Sequence, residues 1–297
     1  VWVDALREQD AQATGRAVSA LVAPSQGVHL VVDRDFLASD HALMVPKTAD
    51  GRVLFAVPWL GKVILGTTDT PRHDLAREPT PFPDEVAFIL NESARYLRRP
   101  PLAADVRSVW VGLRPLVKPQ DENGDNTKSL SREHTVLASR SGLVTVTGGK
   151  WTTYRAMAED VLQKCVASGL LDKREGGATN DLPLVGAPSG RAVHRMCDPQ
   201  GWHSYGSDAA FVRQLPGSAS ELGMGLTEAM VRFAVRNEYA RTVEDVLARR
   251  WRALFLDARR SQGMAARVAE IVGQETGRDP GQEAFEQLAQ QYSTLPV

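Results

Sequence analysis

The strongest constraint on the fold of this chain is one stretch of sequence, in which an apolar run, two glycines and a helical pattern follow one another. Residues 143–146 are typical of a short buried strand, and a turn with Gly148, Gly149 and Lys150 comes after it. Glycine lets a backbone approach a ligand closely because no Cβ stands in the way. The N-terminus of the helix that follows favours an anion or the electron-rich edge of a ring. The stretch therefore indicates a ligand site or, as glycine turns more often are, a plain connection.

The composition excludes several classes of protein. The 297 residues are 43% hydrophobic and 24% charged, which suffices for the core of one large or two ordinary domains. With 35 basic and 36 acidic residues the net charge is −1, so no global charge points to nucleic acid. The only cysteines, Cys165 and Cys197, cannot build a disulfide framework and indicate a reducing compartment. No apolar run reaches the length of a membrane span.

Short β-type runs predict an antiparallel sheet in the first part of the chain. Four of them follow at close spacing, separated by turn signals, at residues 28–32, 42–45, 53–57 and 62–66. A helix is predicted over residues 83–99, because apolar residues recur there at helical spacing before two prolines. Further strands are predicted over residues 106–116, 131–138 and 143–146.

The second half of the chain reads as helical. Apolar residues at spacings of three and four predict a helix whose apolar face packs inward, with Tyr154, Met157, Ala158, Val161, Leu162 and Cys165 on that face. Residues 176–190 are rich in glycine and proline and read as a linker. An amphipathic helix is predicted over residues 241–260, where six arginines outnumber three acidic residues. Packing on its own domain is the simpler role of this helix, and contact with an anionic membrane is the alternative.

Three cations lie near predicted strand ends: Arg114, Arg132 and Lys150. An arginine in an apolar strand end is costly to bury without an anion. Its planar fork matches a phosphate or a carboxylate. Taken singly, each cation is expected to pair with a nearby carboxylate. Taken together, the three cations predict an anion pocket.

Other polar residues carry weaker signals. Residues 66–70 end the fourth strand with hydroxyls and a carboxylate, which fits a turn or the wall of a polar pocket equally well. His29 and His41 lie in strand-like runs, where a structural histidine is commoner than a catalyst. The histidines and cysteines lack metal-ligand spacing, so no metal site is predicted. No Gly-x-Gly-x-x-Gly follows a strand, so the usual dinucleotide fingerprint is absent from this sequence.

Several motifs occur in an order that resembles one protein family. They occupy residues 25–32, 58–59, 66–69, 112–116, 131–134, 148–155 and 238–250. In this order they are similar to the FAD-dependent glycerol-3-phosphate dehydrogenases, the respiratory branch of the amino-acid-oxidase-like flavoproteins. The resemblance implies an α+β fold in three segments. An antiparallel-sheet substrate cap spans residues 1–138, the closing strand and helix of an FAD-binding domain span 139–175, and a linker with an all-helical C-terminal domain spans 176–297.

The resemblance also implies a reaction. Glycerol 3-phosphate would lose a hydride from its C2 to FAD and become dihydroxyacetone phosphate, and the electrons would pass to a quinone or another acceptor. Lys150 and Arg114 would be catalytic and polarise the oxygen on the reacting carbon. The expected substrate-binding residues are Arg132, His29 and Thr68.

The same resemblance assigns flavin binding to the glycine turn. The expected cofactor-binding residues are Gly148, Gly149, Trp151 and Thr152. Reduced flavin gathers negative charge at its pyrimidine edge, and the N–H groups of Trp151 and Thr152 would stabilise that charge.

One departure from the family stands out. Its members begin with a glycine-rich segment that binds the ADP half of FAD, and this chain has none. The chain is therefore expected to be a fragment that binds FAD weakly or not at all on its own. A cytoplasmic location is expected, with a peripheral membrane contact and a homodimer as further options. Two alternative functions remain open: an oxidase of an amine or another hydroxy acid, and a non-catalytic binding module.

Overall fold

Residues 1–48, 51–118, 133–187 and 194–296 are described by a computed structural model. They form two units, each assembled from three separate stretches of chain. The first unit contains Val1–Gly27, Asp69–Pro79 and Val111–Leu182, and the second contains Val28–Thr68, Thr80–Trp110 and Pro183–Val297. The predicted segments 1–138, 139–175 and 176–297 are continuous, and as functional domains they stay predictions.

The first part of the chain forms a six-stranded sheet. Its strands are β1 (Val22–Asp33), β2 (Leu43–Val45), β3 (Leu54–Trp59), β4 (Lys62–Gly66), β5 (Thr70–Pro71) and β6 (Ser108–Val117). The order is β2-β3-β4-β1-β5, and β6 also pairs with β1. The pairs β2–β3, β3–β4, β1–β4 and β1–β5 are antiparallel. The predicted antiparallel sheet is therefore confirmed, and the division between the two units falls within β1 and β6.

The register of the sheet follows from its apolar residues and one tight turn. In the second unit β1 pairs with β4 from His29 opposite Gly66 to Asp33 opposite Lys62. Strands β3 and β4 join through Leu60 and Gly61, which both have positive φ angles, as two-residue hairpin turns require. The buried side chains of this part include Val28, Leu30, Val31, Val32, Val63 and Leu65.

A helix and a hairpin complete the first unit. Helix α1 (Val3–Ala13) was not predicted from the sequence. It is attached to the start of β1 by the Asp4 carboxylate, which accepts the N–H groups of Leu21 and Val22 at 2.9–3.0 Å. Strands β7 (His134–Ala138) and β8 (Val144–Gly148) pair antiparallel with His134 opposite Gly148. Helix α3 (Tyr154–Ala167) follows a 3-10 turn at Trp151–Thr153. The order strand, turn and helix is the one that the sequence pattern predicts.

The second unit carries the helices that end the chain. Helix α2 (Pro83–Ser93) is shorter than predicted, because the Arg95 and Tyr96 N–H groups bond three residues back and tighten the turn. Later come α4 (Ala209–Val212), β9 (Glu221–Gly223), β10 (Leu226–Thr227), α5 (Glu228–Asn237), α6 (Ala253–Leu256), α7 (Ala258–Thr276) and α8 (Gln282–Ser293). The predicted α+β class is confirmed, with the short β9–β10 ladder added to the helical C-terminal region.

The single amphipathic helix predicted over residues 241–260 is wrong. A π-type turn at Asp245–Arg250 comes first, and Arg252 then takes a left-handed conformation at φ 54°. The extended backbone of Asp257 separates α6 from α7, and its carboxylate accepts the N–H of Arg260. The apolar stripe of this segment is therefore buried around the π-type turn, α6 and the start of α7 instead of along one helix face. Within the described ranges, no helix combines the length and apolar character needed to cross a bilayer.

Ion pairs fix the end of β1 in the second unit. The Asp33 carboxylate accepts hydrogen bonds from Lys62 Nζ at 2.6 Å and from Arg107 Nε at 2.9 Å. Burial acts to raise the pKa of Asp33, but the hydrogen bonds from Arg107 and Lys62 outweigh it and hold that pKa below its ordinary value.

We expect Asp33→Asn to flatten the loss of stability in acid. A carboxyl with a depressed folded pKa stabilises the fold above its unfolded pKa, and this contribution is lost as the pH falls through the folded value. Urea unfolding of the wild type should therefore show a free energy of unfolding that falls below about pH 4 more steeply than in the variant. Asp35→Asn, at a side chain that is 63% exposed, is the control. Equal acid slopes for the wild type and Asp33→Asn would contradict the prediction.

Candidate active site

The glycine turn has a conformation that only glycine adopts without strain. Gly148 and Gly149 have φ angles of 77° and 75°. A Cβ on Gly148 would lie 2.5 Å from the carbonyl oxygen of Glu133, and one on Gly149 would lie 2.7 Å from the sulfur of Met157. Both glycines are thus explained by the turn itself, and their contact with a cofactor stays a prediction.

The residues after the glycines present free polar groups. The carbonyl of Lys150 accepts the Thr153 N–H at 3.0 Å, which closes the 3-10 turn. Among the residues that the structure describes, the Lys150 ammonium has no ion-pair partner, and the N–H groups of Trp151 and Thr152 have no acceptor. A cation and two N–H donors at one turn suit an anionic or electron-rich group.

An apolar cleft of about 610 Å³ opens beside this turn. The Trp151 side chain is 86% exposed and stacks on Tyr154 with ring centroids 5.4 Å apart. The remaining lining residues are Val146, Gly148, Gly149, Lys150, Met157, Ala158, Val161 and Leu162. The turn and the first half of α3 therefore form one concave surface that is mostly apolar.

This cleft corrects the prediction for α3. The apolar face was expected to pack inward along its whole length, but Tyr154 is 53% exposed and Leu162 is 57% exposed. Cys165, one turn further on, is buried as predicted. Periodicity identifies the apolar face of a helix, but it does not reveal whether another element of the chain covers that face.

A second predicted residue, Arg114, lies on β6 in the same unit and is held against Gly27. A Cβ built on Gly27 would lie 2.3 Å from Nη2 and 2.6 Å from Cζ of Arg114. Gly27 therefore provides the space in which the guanidinium lies. Gly27 lies within the motif at residues 25–32, but no role was predicted for it. Its lack of a side chain was the one feature of the sequence that could have indicated a close neighbour.

We expect Gly27→Ala to displace the Arg114 guanidinium without unfolding the chain, because the flexible end of that side chain can shift. If Arg114 polarises the oxygen on the reacting carbon, as the resemblance implies, the variant lowers kcat/KM for glycerol 3-phosphate about tenfold or more. Gly112→Ala on the same strand is the matched control, since nothing lies within 4 Å of its new Cβ. Steady-state kinetics and thermal unfolding of both variants measure this. Equal kcat/KM values for the two variants would contradict this predicted role of Arg114.

The second unit contains two other predicted site residues. His29 stacks on Trp110 with ring centroids 4.2 Å apart. Thr68 is fully buried, and its hydroxyl accepts the Val28 N–H at 3.0 Å and donates to Glu85 at 2.8 Å. These bonds connect β1 to α2 and give Thr68 a structural role. Substrate binding by His29 and by Thr68 stays a prediction.

The remaining predictions concern Arg132 and metals. Arg132 lies outside the described residues, so the predicted trio of cations is described only for Arg114 and Lys150. Arg114 and Thr152 are not among the residues that line the cleft at the glycine turn. In the part of the chain that the structure describes, no group of three or more His, Cys, Asp or Glu side chains is placed to hold a metal ion.

Comparison with protein families identifies the class. A family model described as FAD dependent oxidoreductase matches residues 1–155, which is more than half of the chain. A second model, the C-terminal domain of alpha-glycerophosphate oxidase, matches residues 177–283. The chain therefore belongs to the FAD-dependent glycerol-3-phosphate dehydrogenase family of oxidoreductases, as its ordered motifs indicated. FAD is the cofactor of this family, as predicted.

Individual relatives agree with this class. The mitochondrial glycerol-3-phosphate dehydrogenase SDP6 of Arabidopsis thaliana is 36% identical over 90% of this chain and 47% of its own length. The mitochondrial enzyme of Homo sapiens is 35% identical over 94% of this chain and 40% of its own length. The crystal structure of the Bacillus halodurans glycerol-3-phosphate dehydrogenase with FAD has a TM-score of 0.72 and 25% identity, and the match covers 100% of this chain and 62% of that one.

The chain thus spans about half the length of the curated relatives or less. These relatives also correct the expected cytoplasmic location, which is wrong. The matching dehydrogenases of Arabidopsis thaliana, Schizosaccharomyces pombe, Bos taurus and Homo sapiens are all mitochondrial. The balanced charge and the two free cysteines behind the expectation are as compatible with a mitochondrial protein as with a cytoplasmic one.

Proposed function

We propose that this chain supplies the substrate side and the flavin-edge contacts for FAD-dependent oxidation of glycerol 3-phosphate to dihydroxyacetone phosphate. The observation that carries the proposal is the cleft at the glycine turn. It joins an apolar wall, including Trp151 and Tyr154, to the ammonium of Lys150, which has no ion-pair partner among the described residues. The names of the relatives support the choice of substrate.

The cleft suits one part of FAD. The isoalloxazine ring is flat and largely apolar, and its pyrimidine edge carries hydrogen-bond acceptors that become negatively charged on reduction. The apolar wall would take the face of the ring, and the N–H groups of Trp151 and Thr152 would take the edge. When bound, FAD accepts the hydride. We assign no residues of this chain to the ADP half of FAD, because the sequence lacks the Gly-x-Gly-x-x-Gly fingerprint.

The cations of the chain would bind and orient the substrate. Lys150 would donate a hydrogen bond to the oxygen on C2, which stabilises the negative charge on that oxygen as its hydroxyl proton passes to solvent and which orients the C2 hydrogen. Arg114 would lie beside Lys150 at this oxygen. Arg132 would help to hold the phosphate, because a guanidinium binds phosphate oxygens in a bidentate manner. Gly27 would keep Arg114 in place, since its missing side chain provides the space for the guanidinium.

A substrate panel tests the proposal. The FAD-loaded chain is assayed with an artificial electron acceptor and with glycerol 3-phosphate, glycerol, a 2-hydroxy acid, an amine and amino acids. We expect turnover with glycerol 3-phosphate alone, because only that compound offers both the phosphate and the secondary alcohol. Turnover of an amine or a hydroxy acid in its place would replace the proposal with an oxidase of that substrate. FAD binding without any turnover would favour a binding module.

The electron acceptor forms a separate part of the proposal. In the respiratory branch to which the motifs point, the electrons would leave reduced FAD for a quinone or another acceptor. A soluble short-chain quinone added to the same assay tests this step. Reoxidation of the substrate-reduced flavin by the quinone supports it, whereas reoxidation by oxygen alone contradicts it.

A further inference from the structure

A second cavity lies wholly within the second unit and shares no residue with the cleft at the glycine turn. Its volume is about 400 Å³. It is formed where β1 ends, where β4 and β6 begin and where α7 begins. The lining residues are Asp33, Lys62, Val106, Arg107, Asp257, Arg259 and Arg260.

The lining of this cavity carries an excess of positive charge. Four cations face two carboxylates, which leaves two positive charges in excess. Both carboxylates already have partners in the wall of the cavity. Asp33 pairs with Lys62 and Arg107. Asp257 accepts the Arg260 N–H, and its carboxylate lies 3.6 Å from Lys62 Nζ. The excess therefore comes from the guanidinium groups of Arg259 and Arg260.

These two arginines occupy an unfavourable place. They lie in the first turn of the 19-residue helix α7, where the cap Asp257 is the one carboxylate in the described chain at that helix end and is already held by the Arg260 N–H and by Lys62. Both are exposed, and within the described ranges neither forms an ion pair. A bound anion would pair with both guanidinium groups at the same time. The adjacent backbone is firmly held, because the Ala258 N–H donates to the carbonyl of Arg107 at 3.1 Å.

We propose that this cavity is a second anion site, which binds the phosphate group of a small soluble phosphate ester through Arg259 and Arg260. A guanidinium pair offers planar, bidentate donors to phosphate oxygens. Asp33 and Asp257 neutralise Lys62 and Arg107 and hold them in the wall. The attraction for a phosphate therefore comes from Arg259 and Arg260. The cavity has room for an organic group beyond the phosphate itself.

Calorimetric titration of the full chain with inorganic phosphate tests the proposal, because phosphate is the smallest ligand of this class. The titration is run in an Arg114→Gln/Arg132→Gln background, so that phosphate binding at the proposed substrate pocket does not contribute to the signal. We expect saturable binding that weakens at least about tenfold in Arg259→Gln/Arg260→Gln. Arg278→Gln is the matched control, at an exposed arginine that forms no ion pair within the described ranges.

Unchanged binding in the double variant, or no saturable binding in its parent, would overturn the proposal. Thermal unfolding of each variant with and without phosphate provides a second readout. A ligand of the folded state raises the unfolding midpoint only of those variants that bind it. Flotation with vesicles of phosphatidylcholine and phosphatidic acid distinguishes the source of the phosphate. Vesicle binding that depends on Arg259 and Arg260, with no response to inorganic phosphate, would replace the soluble ester with a lipid headgroup.

Discussion

In the FAD-loaded protein, Lys150→Met is expected to lower kcat/KM for glycerol 3-phosphate by about a hundredfold or more. The expected size is that of losing one preorganised donor to an oxygen that gains charge in the transition state. The Lys150 ammonium has no partner within the described part of the chain, so the substrate would not have to displace an existing ion pair. Because methionine keeps the length and the apolar stem, the variant removes mainly the charge. Steady-state kinetics and the rate of flavin reduction under anaerobic conditions measure the effect.

Two further variants separate this role from a general effect of charge. Lys164→Met removes an exposed lysine from helix α3, which follows the glycine turn, and we expect its kcat/KM to equal that of the wild type. Lys150→Arg keeps the charge but changes the geometry, and we expect partial activity. Wild-type kcat/KM in Lys150→Met, or an equal loss in Lys164→Met, would contradict the assignment of Lys150.

Phe285→Ala is expected to cost about 3–5 kcal/mol of the free energy of unfolding. Phe285 lies on α8 with 1% of its surface exposed and belongs to the largest hydrophobic cluster of the second unit. Neighbours in that cluster include Leu254, Val268 and Ile271, which are almost fully buried. Removing the ring loses its burial and leaves a cavity that close-packed neighbours fill only in part.

Urea unfolding followed by circular dichroism measures this loss for the transition of the helical region. Phe211→Ala is the matched control, because that ring is 47% exposed and contacts Phe233 only at its edge. We expect the control to cost less than about 1 kcal/mol. A similar cost for both variants would show that α8 does not pack as described.

The sheet was predictable because its signal is local. The runs at residues 28–32, 42–45, 53–57 and 62–66 alternate or remain apolar between turn residues, and these features set the strand pairs. Helix α1 was not predicted, because its residues carry no sustained apolar stripe and only Ala11 among them is buried. The helix over 241–260 was predicted from its stripe alone, whereas the left-handed Arg252 and the cap Asp257 divide it.

The candidate site was predictable only where one short segment builds it. The residues from Gly148 to Trp151 are neighbours in sequence, so strand, turn and helix place them together. The contact of Gly27 with Arg114 joins positions far apart in the chain, and only the fold shows it. Likewise, the hydrogen bonds of Thr68 join Val28 and Glu85, which lie 40 and 17 positions away in the sequence. Sequence spacing carries no information on such long-range contacts.

Anaerobic reduction of bound flavin by glycerol 3-phosphate tests the central claim most directly. The chain is saturated with FAD, which is kept in the buffer because weak binding is expected, and is mixed with the substrate without oxygen, while the visible absorption of the flavin is followed. The account predicts that the flavin band bleaches with glycerol 3-phosphate, and more slowly when C2 carries deuterium, because the C2 hydride is transferred. A flavin that stays bound and oxidised in excess glycerol 3-phosphate would contradict the account.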